Sequence, residues 1–429
     1  MRLIYPSTEF DQLLAGGDLR TQEVEKIVRE VLQEVHARGD KAVIEFTQKF
    51  QKYALRTREL KVSPRELASA RVKPDLAAAL KASLANIQSF AKKSLEKDWS
   101  IINSHGARVG ERFTPLGRVG IYVPGGTAPL VSTVLMTVGL ARTAGVPEIV
   151  VCTPPPVSEP ILYALRLCGA TEVYRVGGAQ AIAAMAYGTS TIRPVAKILG
   201  PGNAYVTEAK RQVFGRVGID LLAGPSEVMI IADRTAPLEW VAADLLAQAE
   251  HGLGSRVFLV SDDDKVFSYI KSELRMQLES LWSKDDKKRQ KRHILALEVF
   301  ETTFYEILVK KIADGAEIAN RIAPEHLQIM TRNPKAFLGK ITTAGAVFLG
   351  PSSPTALGDY VAGPSHTLPT GGAGKAFSGL RIQDFRRRTS VVEYTPASLK
   401  KALHALEAIA NAEGLEAHAR SVRMRVGKA

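Results

Sequence analysis

Adjacent carboxyl and imidazole groups are the simplest acid-base pair a chain can offer, and this sequence has one at Glu325-His326, in the string RIAPEHLQI. The imidazole titrates near neutral pH and suits proton transfer, while the carboxylate can serve the same pocket as a second base. The pair follows Pro324 and precedes Leu327 to Met330, which read as a strand; on its own it is equally compatible with a surface loop. Of eight histidines, His251, His326, His366 and His418 stand in loops or at helix ends beside acids, amides or glycines, whereas His36, His105, His293 and His404 have no such context. Gln248 and His251, in LLAQAEHGLGS, are three residues apart at the end of an expected helix, so both can point to one side and grip a common atom. Glutamine is a poor metal ligand beside cysteine, histidine or carboxylate, and on spacing alone such a pair is more often surface decoration. Asp359 and His366 lie in GPSSPTALGDYVAGPSHTLPTGGAGKAFSG (350–379), a stretch without periodicity. Loops of that length inside compact domains are usually functional or disordered, and the acid and histidine favour function.

The elements that must position these groups follow from periodicity. Val24, Ile27, Val28, Val31, Leu32 and Val35 recur at helical spacing, which predicts an amphipathic helix over 21–38 ending at Gly39. Ser63-Pro64-Arg65-Glu66 joins a capping box to a proline at the first helical position, and the N-terminal quarter of the chain reads as mostly helical. From residue 118 onward the β-branched runs RVGIYV, EIVVCT, EVYRV, AKIL, VMIIA and RVFLV alternate with Ala-rich helical stretches, the pattern of parallel βαβ units. No G-x-G-x-x-G marks a dinucleotide turn. Three other glycine-rich turns follow strands: VPGG (123–126), VGGAQA (176–181) and GPGNAY (200–205). Each alone is explained by packing; together they favour a nucleotide, because glycine permits positive φ and lets backbone N–H groups approach a phosphate at a helix start. Beyond Pro396, Leu399, Ala402, Leu403, Leu406 and Ile409 form one apolar stripe, a terminal helix that caps its own domain or docks on a second subunit.

Composition narrows the class. With 429 residues and 45% hydrophobic side chains, more than one core can be buried, which excludes a disordered or fibrous chain. The N-terminal MRLIYPSTEF lacks the features of a signal peptide, and no apolar run is long enough to span a bilayer. Two cysteines, Cys152 and Cys168, are too few for a disulfide framework and fit a reducing compartment, so a cytoplasmic protein is expected. The net charge of +13 invites a polyanion or an anionic cofactor. Much of the excess sits in KDDKKRQKRH (284–293) and Arg386-Arg387-Arg388, without the interleaved aromatics that single strands prefer, so solvated faces are expected and no nucleic-acid site.

The strings RVGIYVPGG, VGGAQAIAAMAYGT, GPGNAYVTEAKRQVFG, DLLAGPSEVMIIAD, DLLAQAEHG, RIAPEHLQI, ALGDYVAGPSHTLPTGG and AEGLEAHARSVRMR resemble the histidinol dehydrogenase family in order and spacing. The resemblance implies two doubly wound, incomplete Rossmann-like domains of the aldehyde-dehydrogenase kind, with helical N- and C-terminal extensions. The implied division is an extension over 1–20, a zinc and substrate domain over 21–117 plus 226–380, an NAD domain over 118–225, and a dimerisation tail over 381–429. It also implies one zinc ion per subunit held by Gln248, His251, Asp359 and His418. Two imidazoles, one carboxylate and a neutral amide would leave such an ion a strong Lewis acid.

Glu325 and His326 match the family's acid-base pair. Ser226, His366 and Glu413 match substrate contacts beside the zinc ligands and His326, and Tyr122, Gln180 and Asn203 match NAD contacts. The implied reaction is the four-electron oxidation of L-histidinol through L-histidinal to L-histidine, by a homodimer whose partner's tail completes each site. His326 is the better candidate for the alcohol proton and Glu325 for activating water at the aldehyde. Cys152, in an apolar strand-like run, and Cys168, in an Ala/Leu-rich helix, look structural, which argues against a thiohemiacetal route. After His251 the chain reads GLGSR where the family more often has Asp, and FRRRTS (385–390) is more positive than usual. The alternatives are a related dehydrogenase of another small amino or polar alcohol, disfavoured by the presence of Glu413 and His366, and a zinc hydrolase, disfavoured by the three NAD matches.

Overall fold

A computed structural model describes residues 1–15, 21–125, 130–252, 254–282 and 286–427. Strand β1 (Arg2–Ile4) and helix α1 (Thr8–Ala15) lead into α2 (Gln22–Arg38), α3 (Asp40–Gln51), α4 (Pro64–Ser69) and α5 (Pro74–Lys93), and then into β2 (Trp99–Ile102) and β3 (Arg108–Pro115). A first alternating run comprises β4 (Arg118–Tyr122), α6 (Val131–Thr143), β5 (Glu148–Thr153), α7 (Glu159–Cys168), β6 (Glu172–Arg175), α8 (Gly178–Tyr187), β7 (Lys197–Leu199), α9 (Ala204–Val213) and β8 (Gly218–Ile219). The second comprises β9 (Glu227–Ala232), α10 (Leu238–Ala249), β10 (Arg256–Ser261), α11 (Asp264–Leu281), α12 (Lys287–Thr302), β11 (Phe304–Leu308), α13 (Gly315–Ile322), β12 (His326–Met330), α14 (Lys335–Leu338) and β13 (Ala346–Leu349). Helix α15 (Thr355–Tyr360), strand β14 (Arg386–Glu393) and helices α16 (Pro396–Ala412) and α17 (Glu416–Val426) complete the order.

Local signals account for the boundaries. Thr21 caps α2 by accepting from the Val24 N–H, Gly39 ends it at φ 56°, and Ser63 caps α4 by accepting from Glu66 with Pro64 at the first turn. Every residue of β4 and β9 is buried, as expected of strands covered on both faces. The first run forms a parallel sheet in the order β6-β5-β4-β7-β8, and the second, joined by β1, a parallel sheet in the order β1-β11-β10-β9-β12-β13. Within each run the order is third, second, first, fourth, fifth. The winding therefore reverses twice, between β4 and β7 and between β9 and β12.

The cores separate along the same line, and the packing departs from three of the expected domain limits. Val28, Leu32 and Val35 of α2 share a core with Ile182 of α8 and Val206 of α9, while Leu84 and Ile87 of α5 pack with Leu135 of α6 and Leu165 of α7. The helices of 22–93 thus clothe the five-stranded sheet rather than joining 226–380. The pattern of an amphipathic helix shows that it has an apolar face but not which sheet receives it. The expected N-terminal extension begins as a strand, because β1 pairs in parallel with β11 and Phe10 is buried against the second sheet. The expected helical tail likewise begins with Ile382 and Phe385 in the first core and with β14 antiparallel to β3. Two arginines of the basic run are spent there: Arg386 donates to the Glu96 and Phe113 carbonyls and Arg388 pairs with Glu111. Past β14, α16 and α17 pack on one another; Ile409 of the apolar stripe stays 62% exposed.

Candidate active site

The acid-base pair sits where the second sheet reverses, at the amino ends of β9 and β12. Helix α13 ends at Ala323 in the left-handed region, φ 53°, a conformation that costs a residue with a Cβ about 1–2 kcal/mol. That turn delivers Pro324 and Glu325 to the start of β12. Register places His326 opposite Val228, so Glu325 and His326 face the peptide that joins Ser226 to Glu227. Glu325 Oε2 accepts from the Ser226 hydroxyl at 2.6 Å and from the Glu227 N–H at 2.9 Å. His326 Nδ1 lies 3.1 Å from the Glu227 carbonyl. A carbonyl can only accept, so Nδ1 carries the proton and Nε2 presents its lone pair. Nε2 has no hydrogen-bond partner among the described residues and lies 3.7 Å from Asp359 Oδ1.

Burial raises the Glu325 carboxyl above its ordinary value, against the lowering influence of His326, the Ser226 hydroxyl, the Glu227 N–H and His251. Desolvation wins because the group is almost wholly withdrawn from water, and the result is a carboxylate of increased basicity. His366 is shifted the other way: burial lowers its affinity for a proton, although Asp359 pulls upward. Its Nδ1 is 3.1 Å from the Asp359 carbonyl, its Nε2 is 3.5 Å from Thr133 Oγ1, and its own N–H points at Met136 Sδ. The long loop is therefore pinned to α6, so the two sheet units meet at this histidine.

Gln248, on the last turn of α10, is buried with its Nε2 unpartnered, and His251 follows in the turn beyond, exposed but close enough to influence Glu325 and His366. His251 and Asp359 thus both lie near His366. Among the described residues no three His, Cys, Asp or Glu side chains form a group that could hold a metal. His418 and Glu413 are elsewhere: both are exposed, His418 on α17 and Glu413 at the end of α16, and among the described residues neither side chain bonds to the pair or to Asp359.

The three glycine-rich turns converge at the carboxyl edge of the first sheet. Tyr122 ends β4 and its hydroxyl accepts from the Gly178 N–H at 3.1 Å, which ties the first turn to the second; burial raises that phenol to about 12. Gln180 is 1% exposed and neither amide atom has a partner among the described residues. Asn203 caps α9 by accepting from the Val206 N–H, and its side chain remains exposed. Gly126, last of the first turn, lies outside the described residues, as does Leu253 in the GLGSR departure.

Both cysteines are free and buried, with thiols pushed up to about 12 by desolvation, so neither is a nucleophile. One functional residue was missed. Glu227 holds both members of the pair through its backbone, and its own buried carboxyl, raised to about 7, pairs with Arg256 at 3.1 Å. A carboxylate opening an otherwise apolar six-residue strand is the signal that marks it.

Comparison with known proteins identifies the family. The family model described as histidinol dehydrogenase matches residues 16–426. The histidinol dehydrogenase of Heliobacterium mobile is 42% identical over 435 residues, covering 100% of both chains, and that of Synechococcus is 44% identical over 407 residues, 94% of this chain and 92% of that one. The crystal structure of histidinol dehydrogenase from Elizabethkingia anophelis superposes with a TM-score of 0.92 at 36% identity, covering 100% of this chain and 98% of that one. A probable aldehyde dehydrogenase from Listeria monocytogenes, at 14% identity, TM-score 0.52 and coverage of 90% and 96%, shares the fold alone.

The Glu325 environment gives a pH prediction. A base must be ionised, so activity that depends on Glu325 is lost as pH falls through its raised pKa. Ser226→Ala removes a donor that favours the ionised form, so the acid limb should move to higher pH, by up to about one unit. A pH-rate profile checks this; an acid limb that stays or moves down contradicts the assignment.

Proposed function

The chain belongs to the histidinol dehydrogenase family of NAD-linked oxidoreductases, and on that premise we propose that it oxidises L-histidinol through L-histidinal to L-histidine in one pocket. The observation that carries the reading is the gripped pair, a buried carboxylate and an imidazole with its free nitrogen aimed into the pocket. His326 Nε2 takes the alcohol proton as a hydride leaves the carbinol carbon. Water then adds to the aldehyde with Glu325 accepting its proton, and loss of a second hydride from the hydrate gives the acid. With both thiols buried and unreactive, water addition is the route these residues support.

Zinc and NAD are judged by the residues that would hold them. The side-chain oxygen of buried Gln248, the carboxylate of Asp359 and the imidazole of His251 would suit a hard-to-borderline divalent ion, and a fourth donor is needed to close the set. We assign that donor to His418 of the partner subunit, because this chain's own His418 stands exposed on a helix pair that packs on itself. Zinc so held supplies Lewis acidity at the substrate oxygen. Ser226, His366 and the partner's Glu413 are the remaining substrate contacts, the last a carboxylate for the amino group. Ser226 has a second task here, orienting Glu325. NAD is the hydride acceptor, and the orphaned Gln180 amide in the first turn of α8, with Asn203 across the reversal, suits its polar groups better than a hydrolase would require. The cytoplasm suits a biosynthetic enzyme with two free thiols, and among the described residues no helix is long and apolar enough to cross a membrane.

If one pocket performs both halves, each histidinol yields two NADH with no free histidinal, as read by absorbance and product analysis; one NADH with released aldehyde contradicts the reading. The shared site has its own test. Mixing inactive His251→Ala and His418→Ala proteins should restore activity toward half of wild type per heterodimer, because one of the two sites then carries neither lesion. No recovery after proven subunit exchange contradicts the sharing.

A further inference from the structure

Lys210 of α9 and Asp220, just past β8, form an ion pair inside the first sheet unit, with side chains 3% and 1% exposed. Such a pair does little for stability, since two apolar residues of similar volume often serve as well. What apolar residues lack is hydrogen bonding, and here both charges are directed at the backbone of one residue, Gly200. Asp220 Oδ2 accepts from the Gly200 N–H at 2.7 Å, Lys210 Nζ donates to the Gly200 carbonyl at 3.0 Å, and Asp220 Oδ1 closes the ring onto Lys210. Gly200 opens the third glycine-rich turn at φ +111°, and a Cβ there would lie 2.2 Å from the Tyr122 carbonyl oxygen. The clamped residue is thus pressed against the end of β4, on the line where the winding reverses between β4 and β7. From that point the chain runs through Gly202, where a Cβ would meet Val206, to the Asn203 cap of α9.

We propose that Lys210 and Asp220 are positioning residues for the cofactor: their ring holds the Gly200 turn where Asn203 and the start of α9 meet the dinucleotide. This rests on the nucleotide reading of the glycine turns. Losing one charge-assisted bond on a buried peptide frees the turn and should raise the NAD KM, by about tenfold or more.

The test uses the zinc-loaded enzyme carrying Lys210→Met or Asp220→Asn, with Gln180→Ala as a reference, and reads KM for NAD, KM for histidinol and zinc content. The expected result is a raised NAD KM with an unchanged histidinol KM and full zinc. A folded variant that loses only thermal stability, with its NAD KM within about twofold of wild type, overturns the clamp. Where Lys210→Met fails to fold, Asp220→Asn and Lys210→Arg carry the same reading, since each keeps part of the ring. Unchanged NAD KM in the clamp variants alone overturns this inference; unchanged NAD KM in Gln180→Ala as well overturns the nucleotide reading beneath it.

Discussion

The site depends on the backbone of one residue. Glu227 offers its N–H to Glu325 and its carbonyl to His326, while the Ser226 hydroxyl completes the hold on the carboxylate. These contacts exist because β9 and β12 are neighbours in register, with His326 opposite Val228. A slip of one residue would turn the pair to the other face of the sheet, so the apolar interior of both strands fixes the chemistry as firmly as it fixes the fold. The backbone grip also sets the roles. It fixes which imidazole nitrogen carries the proton, and it favours the ionised form of a carboxyl that burial pushes the other way.

Two sheets of the same winding are used at opposite edges. The first presents its carboxyl edge, where Tyr122, Gln180 and the Gly200 turn gather, as expected for a ligand at a topological reversal. The second presents its amino edge, where the strands begin with Glu227 and His326. What joins them is the long loop after β13. Its His366 packs on Thr133 and Met136 of α6, and its backbone is held by Ser83 and by Asn86 of α5, which bind the Tyr360 and Val361 carbonyls. The connection after β13 thus holds the two edges together, with Asp359 on its short helix α15 and His366 in the loop beyond.

Much of this was legible in the sequence because it rests on local rules. The caps at Thr21 and Ser63, the stop at Gly39, the strands from β4 onward and the burial of both cysteines follow from patterns a few residues long. Of the candidate residues, His251, Glu325, His326, Asp359 and His366 lie close enough to influence one another. The partners of α2 and α5, the strand hidden in Arg2–Ile4 and the pairing of β14 with β3 were not legible, because each depends on contacts between segments far apart in the chain. Glu227 escaped because its grip on the pair is made by its backbone, and the carboxylate that opens an apolar strand is the mark it leaves in the sequence.

The most direct test of the division of labour between Glu325 and His326 is Glu325→Gln supplied separately with L-histidinol and with L-histidinal, reading NADH per substrate. The variant should retain zinc, produce one NADH from histidinol, and stall on histidinal. Normal oxidation of histidinal together with failure on histidinol would contradict the account and exchange the two roles.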